Sequence, residues 1–156
     1  MPVRSLVLRA IAVLTLGASA TLSGAALAQT ASLKTIDLSP TAKLEVTDLR
    51  RLTDKGATQL KMVLKNSGPS PVTARQFGFA SGFRLDTIEL IDFVNKRSYV
   101  LGTASRCLCS TFDDGGSVPP GGEREFWAWF GLPPAGVTTL SMQIGSLPPV
   151  TDIPLQ

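Results

Sequence analysis

Between Ala57 and Asn66 the chain alternates. Leu60, Met62 and Leu64 fall on one side of an extended backbone, and Gln59, Lys61 and Lys65 fall on the other, with Val63 the exception. A period of two marks a strand with one buried face. A helical reading would scatter Lys61 and Lys65 among the apolar positions, so a strand is predicted here.

The same period recurs on either side. Leu44 to Leu52 alternates Leu44 and Val46 with Glu45 and Thr47, and the turn Thr53-Asp54-Lys55-Gly56 joins it to the first segment as a hairpin. Leu33 to Leu38 reads as a short edge strand ended by Pro40. Asn66-Ser67-Gly68-Pro69 is a strong turn, and Pro71 to Leu85, with Phe77, Phe79 and Phe83, reads as a short strand and an irregular crossing. Thr87 to Val94 is apolar on both faces, Ile88 and Leu90 against Ile91 and Phe93, which predicts a central strand. Asn95-Lys96-Arg97 turns it into Ser98 to Leu101.

Arg106 to Phe130 holds both cysteines and both tryptophans. Asp113 to Gly122 reads as a loop and Glu123 to Phe130 as a strand. Val137 to Ile144 is a further strand, with Leu140, Met142 and Ile144 inward. Pro148, Pro149 and Pro154 keep the tail extended, and Val150 to Leu155 suits a sheet edge. About seven short strands, turn signals about every 8–12 residues and no helical stretch predict an all-β chain. The pattern is that of an immunoglobulin-like antiparallel β-sandwich.

The N-terminus changes what counts as the mature protein. Arg4 and Arg9 precede an apolar run from Ala10 to Leu27, which ends in Ala26-Leu27-Ala28. That is the layout of a secretory signal peptide cleaved after Ala28. The predicted organisation is a signal peptide over 1–28, a lead-in over 29–43 and the β-sandwich over 44–156. Removing Arg4 and Arg9 takes the formal charge from +3 to +1. No run of like charges appears, so the composition argues against a nucleic-acid partner. No stable membrane span is expected after cleavage. A periplasmic or secreted location follows, where disulfides persist. The chain has no histidine. Cys–His and Ser–His–Asp nucleophilic chemistry is thereby excluded, along with the commonest metal ligand.

An ordered series of segments now supports a comparison. NSGPSPV, LIDFVNKRSYVL, RCLCS, VPPGGE, FWAWFGLPPAGVTTLSMQI and PPVTDIPL follow one another along the chain. The series resembles the immunoglobulin-like module found ahead of the peptidoglycan-binding domain in some OmpA-like envelope proteins. More distantly it is similar to small secreted immunoglobulin-like bacterial antigens. The resemblance spans roughly Leu44 to Leu155, and its most specific parts are Cys107-x-Cys109-Ser110 and the PPG-E block. It implies fold and exported location rather than an activity. The OmpA-like domain is not within these residues, so peptidoglycan anchoring is not carried over. Trp129 also departs from the small or polar residue usual at that position.

Three features could carry chemistry. Cys107 and Cys109 lie two apart, so on a strand they share a side with Cα atoms about 6.8 Å apart, at the upper limit for a disulfide. A bridge that shapes the start of the loop is the leading expectation. Free or redox-active thiols, a soft-metal site and intermolecular pairing stay open. Asp113-Asp114-Gly115-Gly116 reads as a solvated turn, with a calcium site as its alternative. In the tryptophan strand, Phe126, Ala128 and Phe130 form the better core set. Trp127 and Trp129 then share the outer face with Glu123 and Glu125, the rings roughly 7 Å apart along the strand. Such a face can stack on a sugar ring or grip a peptide, and the plain alternative is that it covers a neighbouring strand.

The sequence therefore predicts an exported, non-enzymatic binding or accessory module of the bacterial cell envelope. It uses no cofactor and no metal. Its expected partner is a protein or a cell-wall glycan, contacted through Trp127, Trp129 and Glu125. The alternative is a structural or redox-linked accessory protein that uses the Cys107/Cys109 pair.

Overall fold

The computed structural model describes residues 31–78, 85, 87–102 and 107–156. The signal-peptide reading over 1–28, Phe79 and Phe83 lie outside the described residues.

The strands are β1 (Lys34–Ser39), β2 (Ala42–Leu52), β3 (Ala57–Asn66), β4 (Val72–Thr73), β5 (Ile88–Asp92), β6 (Arg97–Tyr99), β7 (Ser117–Val118), β8 (Glu123–Gly131), β9 (Thr139–Ile144) and β10 (Val150–Pro154). Helical structure among the described residues is confined to single 3-10 turns at Thr53–Lys55 and Arg75–Phe77. One sheet has the order β1-β2-β3-β8, a second β10-β9-β5-β6, and β4 pairs with β7. Every strand pairing is antiparallel. The chain is all-β, as the alternation predicts.

One buried cluster joins the two larger sheets. Leu44, Leu60, Met62, Phe126 and Phe130 enter it from the first sheet, and Leu90, Leu140, Met142, Ile144 and Ile153 from the second. Period-two placement turns these side chains to one side, and burial of apolar area is the main term favouring the collapsed state.

The alternation in β2 does not run unbroken. Val46 faces Met62 and Asp48 faces Lys61, so Thr47 is an extra residue on β2. This bulge resets the parity. Leu49 is thereby fully buried, while Asp48 and Arg50 stay on the outer side in an ion pair. Without the bulge, Asp48 and Arg50 would enter the apolar layer.

In the first sheet β2 is paired beyond the end of β1, and the edge of β8 is covered. On the β2 side, β1 pairs as far as Val46, and Gln156 then takes over, donating from its N–H to Leu49 O at 2.9 Å and accepting from Arg51 N at 2.8 Å. The C-terminal tail thus leaves β10 in one sheet and ends on β2 in the other. Arg51 also donates to the carbonyls of Pro133, Pro134 and Val137, which fixes the β8–β9 connection to β2. On the β8 side, the cysteine segment lies along the strand.

Two expectations are corrected. The stretch Asp113 to Gly122 is not wholly loop, because it contains β7. Phe93 is not part of a central strand. β5 does lie between β9 and β6, but it ends at Asp92, and Phe93 is 58% exposed in the turn that follows. Asp92 ends the strand by accepting Asn95 N–H at 3.0 Å and Asn95 Nδ2 at 2.7 Å, an Asx-type turn that competes with the ladder.

Candidate functional site

The site is built on β8. Phe126, Ala128 and Phe130 are buried against the core, whereas Trp127 is 37% exposed and Trp129 is half-buried on the opposite face. The predicted division of this strand into an apolar face and an aromatic outer face holds. The register with β3 places Trp127 beside Lys61 and Trp129 beside Gln59.

On the other flank runs the segment 107–110. Ser110 N donates to Trp127 O, Trp129 N donates to Leu108 O, and Gly102 N donates to Trp129 O, each at 2.8 Å. Trp127 N also donates to Ser110 Oγ at 2.8 Å. Cys109 faces Ala128, so the cysteines point inward and Leu108, of opposite parity, points outward. Leu108 is 37% exposed and adds a third apolar group to the aromatic face. The sequence reading overlooked Leu108. The signal was present, since a residue between two inward cysteines on a strand must face out.

The two indole rings are not a flat double platform. Their centroids are 6.3 Å apart and their planes meet at 60°. Lys55 Nζ sits 5.0 Å from the Trp129 ring centroid, a cation–π contact supplied by the β2–β3 turn. Trp129 is therefore occupied, and Trp127 presents the open ring.

Beside Trp127 the outer face of the sheet forms a polar groove of about 530 Å³, lined by Leu33, Glu45, Asp48, Lys61, Lys65 and Glu125 among others. Six of its charged side chains form three pairs, and Glu123 also lines it. Lys65 lies 2.9 Å from Glu45, Arg50 3.0 Å from Asp48, and Lys61 3.5 Å from Glu125. The hydrogen bond that Lys65 donates to Glu45 raises the pKa of its ammonium above the ordinary value. Glu125, predicted as a ligand contact, is on this face and paired with Lys61. The result is a surface dense in donors and acceptors, with three ion pairs and an acidic excess from Glu123.

Cys107 and Cys109 are placed at disulfide distance, with Cα atoms 5.3 Å apart. This is shorter than the i to i+2 spacing of an extended strand, so the backbone bends there, as a bridge requires. The two sulfurs lie 3.2 and 3.0 Å from the carbonyl oxygen of Leu85. A disulfide sulfur has no proton to donate, so in the bridged form these are S···O contacts. The ring closed by the pair is very short, and loop-closure entropy assigns it only about 1–2 kcal/mol. Full reduction is accordingly expected to lower global stability by that small amount while raising amide exchange at 107–110. Two free thiols in protein purified without reductant would contradict the bridge.

The acidic turn does other work. Arg124 Nη1 donates to both carboxylate oxygens of Asp114, at 2.8 and 2.7 Å, and to Ser117 O at 3.1 Å. Those bonds hold the Asp114 carboxyl below the usual carboxylate range. The bonds from Asn95 do the same for Asp92. Among the described residues no cluster of three or more histidine, cysteine or acidic side chains has metal-binding geometry. A carboxylate with a lowered folded pKa contributes stability above its unfolded value of about 3.9 and loses it as pH falls through the folded value. Asp114→Asn is therefore expected to flatten the acid limb of a stability–pH curve below about pH 4. An unchanged acid limb in thermal melts would count against this role.

Compared with protein-family models, curated proteins and solved structures, the chain finds no match. No helix among the described residues is long and apolar enough to cross a membrane.

Proposed function

We propose that this chain is an exported, non-enzymatic binding module of the bacterial cell envelope. In this reading it is an immunoglobulin-like β-sandwich whose ligand, a protein or a cell-wall glycan, is contacted by the outer face of β8. One observation carries the proposal. A strand that already supplies three apolar side chains to the core directs both tryptophans of the chain the other way, with Leu108 beside them. Exposed aromatic and apolar clusters on a rigid sheet are the usual anchors of binding surfaces. The paired charges of the adjoining groove suit a hydroxyl-rich or backbone-like ligand, which needs donors and acceptors in alternation. Export to the periplasm or medium rests on the leader pattern over 1–28.

A second reading gives the C-x-C pair a redox-linked accessory role. Its support is position, since Cys107 is only partly buried in the segment that covers the edge of β8.

The test is retention on cell-wall glycan and in co-purification from envelope fractions, using Trp127→Ala/Trp129→Ala. Loss of an anchor typically costs about 2 kcal/mol, roughly thirtyfold in Kd. Retention of the variant at the wild-type level, with its fold intact, would exclude the aromatic face as the contact.

A further inference from the structure

The β5–β6 hairpin ends in a feature that the aromatic face does not explain. Phe93 is 58% exposed and Val94 is 89% exposed, side by side at the tip of the turn. Val100, on the returning arm, is 67% exposed. These are the three most exposed large apolar side chains among the described residues. Lys96 and Arg97 follow directly and are also exposed.

The stretch 93–100 contains no acidic residue. The nearest carboxylate in sequence, Asp92, faces Arg97 across the hairpin but is 3% exposed and has both oxygens bonded to Asn95. That bonding holds the tip in one shape, with Lys96 in the left-handed region at φ 52°. Two apolar side chains are thus exposed in a hydrogen-bonded turn, with two exposed cations two and three residues after Val94.

We infer that this tip docks the protein on an anionic lipid surface, Phe93 and Val94 entering the headgroup boundary while Lys96 and Arg97 meet the lipid charges. The shape and charge favour a bilayer over a protein partner. Two adjacent apolar side chains exposed in one turn offer little area for a protein contact, but they suit a soft interface that yields around them. A cation near an anionic bilayer contributes about 1 kcal/mol, close to fivefold in binding for each of the pair. The docking is peripheral, with no segment crossing the bilayer.

The experiment compares the full chain with Phe93→Ser/Val94→Ser and with Lys96→Gln/Arg97→Gln. Binding is read on vesicles of phosphatidylcholine alone and of phosphatidylcholine with phosphatidylglycerol. Amide exchange is followed residue by residue, so that the tip is read separately from the apolar stretch 10–27. The expected result is protection of 92–97 on the anionic vesicles only. That protection should be lost in the serine variant. In the glutamine variant, binding should weaken by about twenty-five-fold, the fivefold factor taken twice. The substituted residues are exposed, so the fold should survive in both, and an unchanged far-ultraviolet spectrum checks it. Protection of the tip that is equal on neutral vesicles, absent on both, or produced by self-association in the absence of lipid would overturn the inference.

Discussion

Replacing Phe126 with alanine is expected to cost about 3–5 kcal/mol of folding stability, the range for an aromatic removed from a packed core. Phe126 is fully buried in the middle of β8 and meets Phe112 edge to face at 5.8 Å. The Arg124 guanidinium sits over both rings, at 5.7 and 6.0 Å. Gly116 presses on the same ring. A Cβ built there would lie 2.7 Å from Ala74 Cβ and 3.2 Å from Phe126 Cε1, and its φ is +71°. The cavity left by alanine is thus walled by a glycine turn, a ring and a salt-bridged arginine, none of which can slide in without breaking other contacts. Domains of this size have about 5–15 kcal/mol in total, so the variant should lose a large part of its denaturation midpoint. A midpoint shift equivalent to less than about 1 kcal/mol would show that this region repacks freely, contrary to close packing.

The second large effect is expected at Asn66, where alanine should cost roughly 2–4 kcal/mol, since each buried group left unpaired costs about 1–3 kcal/mol. Asn66 is 2% exposed at the end of β3. Its Nδ2 donates to Ser70 O at 2.8 Å and to Val118 O and Pro119 O at 3.2 Å, and its Oδ1 accepts Gly68 N at 2.9 Å. One amide therefore joins the turn after β3 to the end of β7. Aspartate is the sharper probe. It keeps the acceptor and the size but turns the donor into an oxygen facing three carbonyls. Urea unfolding should place Asn66→Asp at or below Asn66→Ala, and an aspartate variant as stable as wild type would refute the donor network.

These residues also show what could be read from sequence. The alternation in β3 and β8 was legible because a half-buried strand repeats every two residues, and that parity alone separates Phe126 from Trp127. Met62 and Met142 were legible as core for the same reason, and both are fully buried. The bulge at Thr47 was not legible, since it is a property of the pairing with β3 and leaves no mark in local composition. Phe93 misled because apolar character alone cannot distinguish the last residue of a strand from the first of a turn. Asp92, whose side chain makes that turn, was the available clue. Asn66 carried a turn signature, but its bonds to Val118 and Pro119 reach more than fifty residues along the chain. The contact of Lys55 with Trp129 is likewise long-range, so the open and occupied rings could be told apart only in three dimensions.

The central claim is that the outer face of β8 contacts the ligand, and the chain supplies its own reporter. Both of its tryptophans lie on that face, so intrinsic tryptophan emission arises nowhere else. The decisive measurement is a fluorescence titration of the folded protein with solubilised cell-wall glycan fragments and with co-purifying envelope protein. The expected result is a saturable shift or quenching of emission with one of them, abolished in Trp127→Ala although Trp129 still fluoresces. Emission that stays unchanged while the same ligand is demonstrably retained by the protein would contradict the claim.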